Sequence, residues 1–408
     1  MTESRDVRID IIRGIALICI LIDHIPGNVL AGLTLQNFAF SDAAEVLVFL
    51  AGMSAAAGAL ARCGSKGDLA THFAWSIRRA KRLYVMHLGL VVSCTSIMLV
   101  AAHVLNNNAL LARAHVDNVD IRYLVDIVTL TLQPDYLNIL PLYVVFVAAL
   151  SPTFLLLRAH TILGLTASIA LWWISGSVPL VRADGWYFNP FAWQLLFVIG
   201  MVAQLKRGPL TEVARLPWVQ CVAFGFIALS LVAKAPWAQL PWFATWQFDV
   251  PAPLLQSSKT FLALPRLANT IALAVLAVSL TELAEARLHG PSAQCLRLVG
   301  QHALAVYVTA TLFGTLATIA RLAGARGVQY QIFSNALGLI LIVSVALGAE
   351  HRSRRKRERC RVEPKSHLTR SIHLNQSAGS VQPSCSAFQA LSDRFGGDTS
   401  CRPGISGS

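Results

Sequence analysis

The chain has 408 residues, of which 55% are hydrophobic and only 13% charged, and its mean hydropathy is +0.57. A soluble protein of this size carries far more charge on its surface, so the composition excludes an ordinary globular enzyme and points to an all-α polytopic membrane protein. The net charge of +13 does not argue for nucleic acid, because the basic residues fall in the connections between apolar blocks.

Taken in chain order, apolar blocks long enough to cross about 30 Å of hydrocarbon predict helices over 11–31, 43–61, 84–105, 139–157, 161–178, 191–205, 217–235, 265–283, 300–320 and 330–349. No cleavable signal peptide is expected ahead of the first, since "MTESRDVRID" is charged and no small-residue cleavage site follows. The stretch 121–133, "IRYLVDIVTLTLQ", is apolar but short and carries Arg122 and Asp126. The positive-inside rule decides whether it crosses. If it does not, and the N-terminus is cytoplasmic, the inner segments carry 21 Lys and Arg and the outer ones six. If it does, the basic run 351–361 has to cross the membrane. The prediction is therefore ten transmembrane helices with both termini cytoplasmic, and 121–133 as a re-entrant or interfacial helix.

Residues 69–83, "LATHFAWSIRRAKRL", are predicted to form an interfacial helix whose cations reach lipid phosphates, in preference to a substrate site. The eight cysteines show no C-x-x-C pairing and none falls in an outer segment, so neither a metal site nor a disulfide is expected. A membrane domain over 1–350 is followed by 351–408, first basic and then, from 362, rich in Ser, Gly and Pro as in disordered tails.

Charges inside the spans mark the candidate site, because each is costly there. Arg13 and His24 lie eleven positions apart, three helical turns plus about 20°, so they share one face roughly 16 Å apart along the axis. A cation near the inner end and an imidazole deeper in form the wall of a passage. The alternative is Arg13 reaching lipid phosphate and His24 bonding a neighbouring helix. Asp23 sits beside His24. In the second helix Asp42 and Glu45 have capping-box spacing, and the short connection 32–42 places Glu45 where it could also reach the Asp23–His24 region. The run Ala51, Gly52, Ser54, Ala55, Ala56, Ala57, Gly58 is expected to serve close helix packing. Asp135, Asn138 and Tyr143 in "LQPDYLNILPLY", and Asn189, Trp193 and Gln194 in "DGWYFNPFAWQLLFVIG", are candidates for lining a site at outward helix ends. The aromatic loop 235–248 is either an interfacial belt or a sugar-stacking surface. His302 is either a structural hydrogen-bonder or a ligand contact.

The stretches "RDVRIDIIRGIALICILIDHIPGN" and "TLQNFAFSDAAEVLVFLAG", with "LQPDYLNILPLY" and "GWYFNPFAWQLLFVIG", closely resemble OpgC-type proteins of the acyltransferase-3 superfamily. The superfamily's mark, Arg or Lys, ten residues, then His, is matched by Arg13 and His24. The resemblance covers about residues 5–350. It implies an O-acyltransferase of the bacterial inner membrane that moves an acyl group, succinyl by family expectation, from cytoplasmic acyl-CoA to hydroxyls of a periplasmic glucan.

In that reading Arg13 binds the donor's phosphate. His24 is the catalytic base, suited to it because neutral imidazole accepts a proton near pH 7. Asp23 or Glu45 orients it, and Asp42, Asn138, Tyr143, Asn189, Trp193 and Gln194 line the substrate path. No cofactor beyond the acyl-CoA co-substrate, and no metal, is expected. The competing class is a transmembrane glycan or small-molecule transporter. Against it, the sequence shows no internal repeat and no pair of broken helices in matching halves.

Overall fold

The computed structural model describes residues 6–63, 69–114, 121–134, 136–178, 185–234, 258–283 and 290–375, with the single residues 181, 183 and 288; every regular element among them is helical. Six helices have the length and apolarity of a full membrane crossing: α3 (Ala43–Cys63), α4 (Leu69–Leu105), α12 (Pro217–Lys234), α13 (Leu264–Leu283), α15 (Ala303–Leu322) and α16 (Gly327–Asn375). A bent pair, α7 (Ile139–Ala148) and α8 (Leu150–Ala159), makes a seventh if counted as one span, with 57° between its halves. The bend has a local cause. Pro152 has no N–H for the carbonyl of Ala148 and its ring crowds that oxygen, so the helix breaks at Ala149. The three remaining apolar blocks form shorter helices: α1 (Val7–Asp23), α9 (Thr161–Ile174) and α10 (Pro190–Leu205). All ten apolar blocks are thus helical, but four do not reach span length as single straight helices.

The basic segment 69–83 is not a separate interfacial helix. It is continuous with the apolar block behind it, and the 37 residues of α4 run about 55 Å, well beyond a bilayer core. No Gly or Pro interrupts "SIRRAKRLYVMHLGL" before Gly89, so nothing ends the helix where the charge stops. The stretch 121–133 contains only α6 (Ile121–Val128), eight residues and too short to cross. The connections hold further short elements: a 3₁₀ turn (Val29–Leu33), α2 (Leu35–Phe38), α5 (Asn108–Ala114), α11 (Arg207–Ala214) and α14 (Pro291–Gln301).

Two crossings organise the core, and each is made by a pair of glycines. In α3 and α10, a Cβ on Gly52 would overlap the Phe197 carbonyl, and one on Gly200 the Phe49 carbonyl. In α1 and α14, Gly14 faces the Leu296 carbonyl and Gly300 the Asp10 carbonyl in the same reciprocal way. Lipid tails give no hydrophobic reward for helix association, so close backbone approach over small residues is how such helices gain dispersion contact. Around these crossings Leu17, Leu21, Trp193, Phe154 and Leu142 are fully buried.

The chain divides into two compact units, one up to Ala346 and one from Leu347. In the second, α16 continues helical through the basic run to Asn375, with Arg354 paired to Glu350 at 2.7 Å. The rest of the Ser/Gly/Pro-rich tail lies outside the described residues.

Candidate functional site

Helix α1 stops at Asp23 because Pro26 follows, disfavouring helix at Ile25, and Gly27 then takes φ +70°. Asn28 ties the turn down: its amide donates to the Ile22 carbonyl (3.1 Å) and to Asn335 of α16 (2.9 Å). This leaves His24 as the C-cap of α1, held on a defined wall. Its ring stacks on Tyr136, with centroids 4.2 Å apart and planes 26° apart. Its Cβ lies against Gly314 of α15, where any added Cβ would come to 2.9 Å. Its Nδ1 is buried without a hydrogen-bond partner. The backbone behind Tyr136 is itself pinned, since the Tyr307 hydroxyl donates to the Tyr136 carbonyl at 3.0 Å.

No hydrogen bond joins Asp23 to His24 in the structure. Asp23 Oδ1 accepts from the Thr34 hydroxyl at 2.6 Å and from the Gln36 amide at 2.8 Å, both in the connection that follows. Successive helical residues point about 100° apart, so Asp23 faces the 3₁₀ turn while His24 faces α15.

Glu45 is committed elsewhere too. The capping box forms as its spacing predicts: Glu45 Oε2 accepts the Asp42 N–H at 2.9 Å, and Asp42 Oδ1 accepts the Ala44 N–H at 2.8 Å. The remaining carboxylate oxygens meet two cations from much later in the chain. Arg266 of α13 gives its Nε to Glu45 Oε1 (2.6 Å) and its Nη2 to Asp42 Oδ2 (3.1 Å), and Lys259 Nζ reaches the same Asp42 oxygen at 2.5 Å. The result is a quartet of two acids and two cations, with Asp42, Glu45 and Arg266 buried and Lys259 half-buried. Burial alone would lower the Lys259 ammonium, but Asp42 and Glu45 outweigh it and the net shift is upward. Burial works to raise Asp42, and Lys259, with help from Glu45 and Arg266, holds it below the ordinary carboxylate range. The charge of Lys259 is felt at both Asp23 and His24, so the quartet belongs to their end of α1.

Asn189, Trp193 and Gln194 build the support for this end rather than an open lining. Asn189 caps α10 by accepting from Phe191 and Ala192 N–H at 2.8 and 3.1 Å, and its own N–H bonds the Thr260 carbonyl. Trp193, fully buried, donates Nε1 to the Lys259 carbonyl at 2.8 Å. The loop bearing Lys259 is thus clamped to the start of α10, and Nζ hangs over the Tyr187 and Phe188 rings at 5.8 and 5.6 Å. Gln194 exchanges two hydrogen bonds with Ser168 of α9 (2.6 and 2.8 Å) and is used up in that crossing. Asp135 and the aromatic loop 235–248 lie outside the described residues; His302 is the break between α14 and α15.

At the other end of α1, Arg13 neither reaches towards lipid nor stands free. Its Nη1 pairs with the buried Asp10 at 3.0 Å and touches the Gly300 carbonyl at 3.4 Å, and its Nη2 donates to Ser54 at 2.5 Å. One guanidinium therefore joins α1, α14 and α3. Tyr143 of α7 is close enough to feel its charge. So is Arg79 of α4, which also senses Arg62 and Arg82. Arg62 and Arg79 both lie over the Trp75 ring, at 4.7 and 5.8 Å. Among the described residues no carboxylate pairs with Arg79. The same segment is anchored to α8, where His72 Nδ1 bonds Ser151 at 2.8 Å.

Sequence reasoning missed Arg266, Lys259, Asp10 and Arg79. Arg266 had one usable signal, a lone cation opening an apolar block. Asp10 had another, standing one turn before Arg13. Asn138 begins α7 with its Oδ1 buried and unbonded. No group of three or more His, Cys, Asp or Glu side chains able to hold a metal occurs among the described residues.

Searches of curated proteins and of solved structures return no match. A family model does match, over residues 5–354. It spans α1, both glycine crossings, the acid–base quartet and the arginine cluster, and the chain belongs to the family it describes, the OpgC proteins.

Proposed function

We propose that the chain is an O-acyltransferase of the bacterial inner membrane that moves an acyl group, succinyl in the family expectation, from cytoplasmic acyl-CoA to a hydroxyl of a periplasmic glucan. The topology that goes with this reading has ten crossings, counting α7 and α8 as one, with both termini cytoplasmic and α6 not crossing. The observation that carries it is α1 itself: a buried imidazole with Nδ1 unbonded at one end, and a guanidinium in an arginine cluster at the other.

The cluster suits the phosphates of the donor, since guanidinium binds phosphate through paired, charge-assisted hydrogen bonds. Arg13 is already matched by Asp10, so Arg79 and Arg62 are the groups with charge to spare, and Arg13 sets their field. At the other end His24 takes the proton of the attacking hydroxyl as its oxygen bonds to the thioester carbonyl carbon. The C–S bond breaks, and the proton passes from the imidazole to the departing thiolate, so nothing is gained or lost overall. Stacking on Tyr136 and the helix end hold the ring in place. Asp42 and Glu45 act at a distance, by keeping Lys259 seated.

The test is mass spectrometry of periplasmic glucans from cells carrying the wild-type gene, no gene, or His24→Asn. The expected result is a fixed mass increment present only with the wild type. Identical glucans in all three, with the protein in the membrane, overturn the reading.

A further inference from the structure

His87 of α4 is completely buried, and neither of its ring nitrogens has a hydrogen-bond partner. A neutral imidazole carries one donor and one acceptor, and leaving both unmet inside a protein is costly. Its place on the helix says what it faces. Cys94 is seven residues further on, so the two lie within about 20° of one face and roughly 10.5 Å apart. At that level Cys94, Thr95 and Met98 line a small cavity closed by Tyr136 and Leu137 on one side and Thr311 and Thr315 on the other. Tyr136 is the ring on which His24 stacks. In the opposite direction Arg79 is eight residues, about 12 Å along the axis and about 80° round the helix from His87. Along the axis of α4, His87 therefore stands midway between the level of Arg79 and that of the cavity lined by Tyr136.

One other polar atom at this seam is also unmet: the amide oxygen of Asn138, at the start of α7, is buried without a hydrogen bond. The hydroxyls of Thr95 on α4 and Thr311 on α15 meet those of Tyr123 and Tyr307 instead. Helix α4 packs against both α7 and α15. Unbonded donors and acceptors of His87 and Asn138, between an arginine cluster and an imidazole base, suit a thin chain with amides along it and phosphate at its far end.

We propose that the seam of α4 with α7 and α15 is the path of the donor's pantetheine arm, and that His87 hydrogen-bonds the amide of that arm nearer the phosphates, which N-acetylcysteamine lacks. This rests on the acyltransferase reading above. Binding parts the seam, and the amide supplies the bonds that His87 lacks. His87 is thus a donor-binding residue with no part in the proton transfer.

The experiment uses the full chain in lipid nanodiscs with glucan from cells lacking the gene. Two donors carry the same acyl group, one on coenzyme A and one on N-acetylcysteamine, which lacks the nucleotide and most of the arm. For His87→Leu, KM for the coenzyme A donor is expected to rise about tenfold with kcat within about twofold. kcat/KM for the short donor should stay within about twofold of wild type. His87→Gln keeps a donor and an acceptor and should restore most of the KM. His87→Leu should melt no lower than wild type, since no hydrogen bond is removed. If the Leu variant does not insert, His87→Phe, closer to imidazole in shape, takes its place. An unchanged KM, or equal losses with both donors, overturns the assignment and leaves the acyltransferase reading standing. A wild-type protein that uses neither donor overturns that reading, and this inference with it.

Discussion

Neighbouring residues at the end of α1 should fail differently when changed. His24→Asn removes the proposed base and is expected to lower kcat by about 10²–10⁴ with KM for the donor nearly unchanged. Asp23→Asn keeps an oxygen for Thr34 and Gln36, so its kcat should stay within a few-fold of wild type. Both are read from steady-state acyl transfer, normalised to protein in the membrane; a severe loss in Asp23→Asn would reinstate Asp23 as the group that orients His24. Arg266 makes a stability prediction. Arg266→Met leaves Glu45 buried without its cation, and loss of one partner from a buried pair costs about 3–5 kcal/mol. The melting temperature in detergent should drop sharply, and Glu45→Gln in the same background should recover part of it. The quartet also gives a pH dependence. Asp42 titrates lower folded than unfolded, so its contribution is in place above its unfolded value near 3.9 and drains away as pH falls below that. Thermal stability should therefore decline on acidification below about pH 4, and less so in Asp42→Asn.

Among elements, the glycine crossings are the least forgiving feature. Gly200→Ala and Gly300→Ala each put a methyl group onto a carbonyl of the facing helix, and backbone cannot swing aside as a side chain can. Overpacking of this kind costs about 1–3 kcal/mol or more. Gly89, in mid-α4 and exposed, has no atom within 4 Å of an added Cβ. Gly89→Ala should instead be neutral or stabilising by up to about 1 kcal/mol, since alanine is the better helix former. Melting temperatures of the three variants test the contrast; equal shifts would mean that the crossings are looser than drawn. The Asp42–Glu45 cap was legible because one local signal decided it, whereas 139–157 was expected as one helix and the break before Pro152 was not read. The basic segment 69–83 was misjudged because charge was taken as a boundary. A helix ends only where a residue stops it, and none does there.

For the whole molecule the orientation is the open test. If the chain crosses ten times and α6 does not cross, a reporter fused after Arg158 should be cytoplasmic and one after Asp184 periplasmic, as the 21-to-6 partition of Lys and Arg predicts. The opposite pair of locations would invert everything after residue 134. What the sequence by itself determined is what local order controls. Block length and apolarity specify membrane helices, and the eleven-residue spacing sets Arg13 and His24 on one face of α1. Only the tertiary structure decided how the buried charges are matched. Arg266 and Lys259 stand more than two hundred residues from Asp42 and Glu45. Asp23 and His24, adjacent in the chain, turn to different partners. The reason is that helical periodicity fixes a side chain's direction about its own axis, whereas a charge inside a membrane must be met by whichever helix the packing brings alongside.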